Sequence, residues 1–187
     1  MVCSVRDEGP GLSQEDQAKL FQRGIKRFFV LIDGTVRSDG SHTYESQRAG
    51  SALTYSLNAT AELIRLAELA ANQGYDLYTV KVNGVSLIDV IEFHVAVLED
   101  ETLMHPYSGH NQMFCDESCD TWNNLRLEPH GWPISAGWPE FEIFRARFPE
   151  SPLIERFQNM YPDNEHVYKQ EGPYFQGCEF RDVSTAG

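Results

Sequence analysis

Residues 46–74 read SQRAGSALTYSLNATAELIRLAELAANQG, and their periodicity decides the fold class. Ala52, Tyr55, Ala59, Leu63, Leu66 and Ala70 recur at three- and four-residue steps, the spacing that lines one side of an α-helix. Gly74 follows as a stop, because a glycine just past the last turn takes the left-handed conformation without a Cβ penalty. The stretch therefore predicts a helix from about Ser46 to Asn72.

Working outward, Phe21, Ile25, Phe28, Phe29 and Ile32 carry the same period upstream. Ser13 is well placed as the N-cap of that helix, with Glu15 and Asp16 set against its positive end. Asp33-Gly34 predicts its end, and Asp39-Gly40-Ser41 predicts a turn. Downstream, the run from Ser86 through Leu87, Ile88, Val90, Ile91, Val95 and Leu98 is β-branched enough for a strand. Its length and its Glu-Asp ending predict a buried helix instead. Residues 100–137 lose all periodicity and predict a long loop region, of the kind that often carries function. Regular structure returns near Ser135, with Pro139 in a first turn, Phe141, Phe144 and Phe148 on one face, and Pro149 closing the helix. Ser151-Pro152 opens a last short helix bearing Ile154 and Phe157, and the tail from Tyr161 reads as irregular. The sum is an all-α chain of antiparallel helical hairpins.

The 187 residues suit one domain. Against 28 acidic residues stand 15 basic ones, a formal net charge of -13. So acidic a chain lacks the basic footprint of a protein that binds nucleic acid or an anionic membrane. Any polyanionic ligand needs a local cluster of cations working against the global field. No apolar run approaches the ~20 residues of a membrane span. The first residues, MVCSVRDE, place acids where a leader peptide would be basic and then apolar, so no export signal is read there. Cys3, Cys115, Cys119 and Cys178 are too few for a disulfide-built fold. Cys115 and Cys119, preceded by His105 and His110, are spaced more loosely than structural zinc pairs. A local disulfide or free thiols is the expectation, with no metal and no cofactor.

Two stretches resemble known families. Residues 4–23, SVRDEGPGLSQEDQAKLFQR, resemble the G1 box of sensor histidine kinases, with Asp7-Glu8-Gly9-Pro10-Gly11 as Asp-x-Gly-x-Gly. The resemblance implies an adenine-binding aspartate, but no second Gly-rich box follows Arg23. The plainer reading of Gly9-Pro10-Gly11 is a tight turn before a helix. The division expected is a kinase-like stub at 1–23 and a helical domain at 24–187.

Residues 22–160 resemble the alginate lyase family. The resemblance rests on Asp39-Gly40-Ser41, Glu45, Arg48, Ala52-Leu53-Thr54-Tyr55, Gly74-Tyr75-Asp76-Leu77 and the later WPEFEIFRARFPESPLIERF. It implies an incomplete (α/α) toroid, truncated at its N-terminus, and β-elimination on a 4-linked uronate polymer such as alginate. It also implies a periplasmic or secreted protein. Arg48 and Tyr55 match the family's catalytic arginine and tyrosine, while His42, Glu45 and Trp122 are the expected substrate-binding residues.

The chemistry suits those residue types. The C5 hydrogen of a uronate is feebly acidic, so charge developing on the carboxylate must be stabilised, which a guanidinium does. A phenol can protonate the leaving oxygen and, ionised, can accept a proton. Seven residues apart, Arg48 and Tyr55 are expected two turns along one helix, facing one cleft. The plainer alternatives are a core Tyr55, an Arg48–Glu45 ion pair, a surface imidazole at His42, and packed side chains at His94 and Trp138. The family's Asn-His pair has no counterpart here, since neither residue type precedes His42, and Ser56 stands where the family has His. The activity expected of this chain alone is therefore incomplete. A non-catalytic uronate-binding module and a nucleotide-binding fragment are the rival readings.

Overall fold

The computed structural model describes residues 13–48, 52–108, 138 and 140–160. Six α-helices occupy them: α1 (Gln14–Thr35), α2 (Ala52–Ala71), α3 (Leu87–Glu99), α4 (His105–Ser108), α5 (Phe141–Arg147) and α6 (Pro152–Met160). Two 3₁₀ turns, Glu45–Gln47 and Glu101–Met104, precede α2 and α4. Two isolated β-bridges are the only extended pairing among the described residues, so the all-α expectation is met.

Local chemistry sets the helix ends. The Ser13 hydroxyl accepts from the Asp16 N–H at 3.1 Å and starts α1. The helix continues through Asp33-Gly34 and ends at Thr35, one short step past the expected stop. It also runs without a break across residues 23 and 24. At α3, Ser86 and Asp89 form a reciprocal capping box, which satisfies two amides that the helix cannot. That box selects helix over strand for the β-branched run.

The long segment at 46–72 is not one helix. A 3₁₀ turn comes first, and α2 begins at Ala52. Its end is as expected: Gly74 has φ +83° and the Tyr75 N–H reaches the Ala70 carbonyl at 3.0 Å. The buried face differs from the expected stripe. Leu53, Leu57, Ile64 and Ala67 are buried alongside Ala52, Leu63 and Ala70, whereas Tyr55 is exposed. The reason is that α2 packs against α1, α3 and α5, so several sides of it are covered and a single stripe does not describe it.

The predicted loop from residue 100 is helical as far as Ser108. Asp100 caps it by accepting from the Thr102 N–H and hydroxyl, and Met104 is buried. The rest of that interval, with Trp122, Trp132, His110 and the two central cysteines, lies outside the described residues, as do the Gly9-Pro10-Gly11 motif, Ser135, Pro139 and the tail. α5 and α6 appear where expected and close the core, with the Phe141 and Phe157 rings stacked at 4.1 Å. α6 packs on α3.

Gly40 joins the first turn to this core. Its φ is +90°, and a Cβ there would lie 2.6 Å from the Asp89 carbonyl oxygen and 3.1 Å from the Phe93 Cβ. Both the torsion and the backbone approach demand glycine. Gly40→Ala is expected to destabilise the fold by roughly 3 kcal/mol, combining left-handed strain with a contact that only a backbone shift relieves. Gly34→Ala, in a helix and with nothing near the added methyl, is expected to stabilise by up to ~1 kcal/mol. Urea melts of the two variants check the contrast.

Candidate active site

The turn between α1 and α2 is organised by Arg37. Its guanidinium donates to the carbonyls of His42 at 2.6 Å and Thr43 at 3.0 Å, and to the hydroxyls of Ser41 at 3.1 Å and Ser46 at 3.0 Å. The same group lies 4.5 Å over the Tyr107 ring. Tyr107 in turn donates its hydroxyl to Asp39, which also accepts from the Ser41 N–H and hydroxyl. Burial alone would raise the Asp39 carboxyl, but the hydrogen bonds from Tyr107 and Ser41 outweigh it and hold the carboxyl below its usual value. One cation thus satisfies carbonyls that no helix or sheet ladder reaches.

Beneath this turn, His42 is buried, only 2% exposed. Its Nε2 lies 2.9 Å from the Thr60 hydroxyl oxygen. Thr60 donates its own proton to the Ser56 carbonyl at 2.9 Å, so His42 donates through Nε2–H. His94 sits beside it, ring centroids 5.3 Å apart, and donates through Nδ1 to the Val90 carbonyl at 2.7 Å. Burial, then the neighbouring His94 and Arg37, push the His42 imidazole down to about 3. Burial pushes His94 down to about 4, against the opposing pull of the Val90 carbonyl and Asp39. The expectation of a surface imidazole at His42 is corrected: the ring packs inward, its Nε2 held by Thr60 and its face against the His94 ring. His94 and Trp138 are core residues, as their apolar surroundings led us to expect.

Above the buried pair, the exposed side of the turn gathers Glu45, Arg48 and Tyr55. The Arg48 Nε donates to Glu45 at 2.8 Å, and the Arg48 guanidinium stands 4.4 Å over the Tyr55 ring. Tyr55 is 44% exposed, so the core reading of this tyrosine does not hold. The two residues do not share a helix, since Arg48 ends the 3₁₀ turn and Tyr55 lies in the first turn of α2. They meet because the turn folds back over the start of α2. The pairing of Arg48 with Glu45 is also real, and the two readings coexist. Nε–H is one of five guanidinium donors, so an acid at that edge does not exhaust its capacity for a carboxylate.

Sequence reasoning missed Arg37, Tyr107 and Thr60. Arg37 lies four residues after Asp33, and helical spacing would pair them; Asp33 is instead held by Asn83. Among the described residues no group of three His, Cys, Asp or Glu side chains could hold a metal. No helix among them is long and apolar enough to cross a membrane.

The described fold is all-helical and carries the half-buried Arg48 over the exposed Tyr55 ring, beside the Glu45 carboxylate. Residues 15–103, just under half the chain, match the family model described as alginate lyase. Alginate lyase A1-III from Sphingomonas species A1 is similar at 26% identity, covering 73% of this chain and 34% of that one, with a TM-score of 0.52. A histidine-to-alanine variant of alginate lyase A1-III complexed with tetrasaccharide matches at 27% identity, over 72% of this chain and 34% of that one, with a TM-score of 0.52. A tyrosine-to-phenylalanine variant, also complexed with tetrasaccharide, shares the fold at 23% identity, covering 84% and 44%, with a TM-score of 0.53. The chain spans about a third of the length of the first two of these structures. No curated protein sequence matches it. The segment 15–103 is alginate-lyase-like in sequence, and the chain is alginate-lyase-like in fold.

Proposed function

We propose that this chain carries the arginine–tyrosine half of a lyase site that cleaves a 4-linked uronate polymer such as alginate by β-elimination. The observation that carries the reading is the Arg48 guanidinium stacked on the exposed Tyr55 ring with Glu45 at its Nε edge. In the reaction the C5–H bond breaks, its electron pair forms the C4–C5 double bond, and the C4–O bond breaks. Arg48 neutralises the sugar carboxylate, so the negative charge that builds on it costs less. Tyr55, as the phenolate, accepts the C5 proton and passes it to the departing oxygen as the C4–O bond breaks, which returns the phenolate for the next sugar. Glu45 holds the guanidinium plane across the tyrosine, and Trp122 offers an aromatic face for a sugar ring. Residues 1–41 contain neither Asn nor His, so the family's Asn-His half is not supplied from that stretch.

The reading extends to an incomplete (α/α) toroid and to a periplasmic or secreted site of action, both supported by the family resemblance. The proposed helical domain is 24–187, and both α1 and the family match reach upstream of it, to residues 14 and 15.

The test is to incubate the full chain with polymannuronate and follow the ultraviolet absorbance of the unsaturated uronate. The expected result is a rise in absorbance. Arg48→Lys, which keeps the charge and loses the planar fork, is expected to lower kcat/KM about tenfold or more. Polymer binding with no absorbance change would overturn the lyase reading and leave a uronate-binding module.

A further inference from the structure

The described residues include eleven lysines and arginines, and eight of them have a partner. Lys19 pairs with Glu15, Arg48 with Glu45, Lys81 with Asp89, Arg145 with Glu142 and Arg147 with Glu68. Arg65 pairs with Glu62 and Glu140, Arg156 with Glu92 and Glu99, and Arg37 holds the turn described above. Among the described residues, the cations with neither an acid nor a hydrogen-bond partner are Arg23, Lys26 and Arg27. They are neighbours on α1, and all three are exposed.

That arrangement is costly in isolation. Residues three and four apart on a helix face one another, so Arg23–Lys26 and Arg23–Arg27 are like-charge pairs that weaken α1. No acid stands three or four residues from any of them: those positions hold Lys19, Leu20, Gln22, Gly24, Phe29, Val30 and Leu31, besides the three themselves. In a chain with 28 acids, three exposed cations with no acid within one helical turn of any of them are the local cluster a polyanionic ligand needs.

We infer that Arg23, Lys26 and Arg27 form an accessory, non-catalytic binding face for the acidic polysaccharide, holding a run of uronates outside the Arg48–Tyr55 site. In its choice of ligand this rests on the lyase reading. A uronate polymer carries a carboxylate on each sugar, so it presents a row of single anions that matches a row of single cations along one helix. The cations sit on the side of α1 away from Phe28 and Ile32, which are buried. Replacing them therefore leaves the packed face of the helix untouched. Leu20 and Val30, 49% and 57% exposed, flank the charges and offer apolar surface to the C–H faces of a sugar.

The test compares the full chain with the triple variant Arg23→Gln, Lys26→Gln, Arg27→Gln, by calorimetric titration with oligomannuronates over a range of salt. The triple variant is expected to bind roughly tenfold more weakly, with a flatter salt dependence and a thermal midpoint no lower than the parent's, since the like-charge pairs are relieved. The Arg23→Lys, Arg27→Lys variant is expected to bind as the parent does. Arg48→Ala is expected to retain most of the affinity, which separates this face from the reactive pair. If no variant forms unsaturated product while the triple variant still loses affinity, the lyase reading fails and the binding face stands. Unchanged oligomannuronate affinity in the triple variant overturns the face. So does binding to vesicles of anionic phospholipid, or self-association of the chain, that depends on the same three residues while oligomannuronate affinity does not.

Discussion

Tyr55→Phe is expected to lower turnover on polymannuronate by about 10²–10⁴-fold, the usual scale for losing a positioned proton donor, with KM and the thermal midpoint nearly unchanged. The substitution keeps the ring on which Arg48 stacks at 4.4 Å, so the guanidinium keeps its support. The lost hydroxyl belongs to a side chain that is 44% exposed, so no buried group is left without a partner and stability is spared. Tyr78→Phe makes the contrast. That hydroxyl is buried and donates to Glu68 and the Ile64 carbonyl, so its loss acts on the melt and not on the chemistry. Steady-state kinetics beside a thermal melt read both quantities. A Tyr55→Phe enzyme with parental kcat would remove Tyr55 from the reaction.

The second large effect is acid sensitivity. His42 and His94 have folded-state values pushed down to about 3 and about 4 from an ordinary 6.5. Below 6.5 the unfolded chain binds protons at both positions and the folded chain refuses them. Stability is therefore complete above about pH 6.5 and falls as pH drops toward 4. Between pH 7 and pH 5 each imidazole contributes about one and a half units, so the pair together costs roughly 4 kcal/mol, or about a thousandfold in the folded-to-unfolded ratio. The groups facing them are Thr60, Arg37 and Asp39; only Asp39 is a carboxylate, and its value lies below the usual range, outside this window. Urea titrations at the two pH values measure the difference. The double variant His42→Gln, His94→Asn keeps a donor toward Thr60 and toward the Val90 carbonyl while removing both imidazoles, and is expected to flatten the pH dependence. An unchanged slope in that variant would assign the acid sensitivity elsewhere.

The helices were legible because their signals are local. Ser13, the Ser86–Asp89 box and Gly74 act within a few residues of the ends they set, and the apolar period shows wherever one side of a helix is covered. It blurred on α2, which is covered on several sides, and so put Tyr55 on a stripe that the buried residues do not follow. The candidate site was legible by residue and not by geometry. Arg48 and Tyr55 were read from their match to a family, yet the contact comes from a 3₁₀ turn that breaks the expected helix. The burial of His42 depends on Thr60, 18 residues away, and on His94 beyond it. A polar turn gives no local sign that one of its side chains will point inward. Arg37 was hidden for the same reason, since half of its acceptors are backbone carbonyls, which every sequence has.

Two ion pairs tie α2 to the segment around α5. Arg65 meets Glu140 at 2.5 Å, and Glu68 receives Arg147 through Nε at 3.1 Å. Along α2 the order is cation then anion, and along the other segment it is anion then cation. Turning that segment end for end would set Glu140 against Glu68 and Arg147 against Arg65, two repulsions where there were two attractions. An apolar face built from Phe141, Ile143 and Phe144 tells direction poorly, because oil packs on oil either way round. The charges act as a polarised plug, admitting the segment in one orientation and refusing the other, whatever they add to the melting temperature.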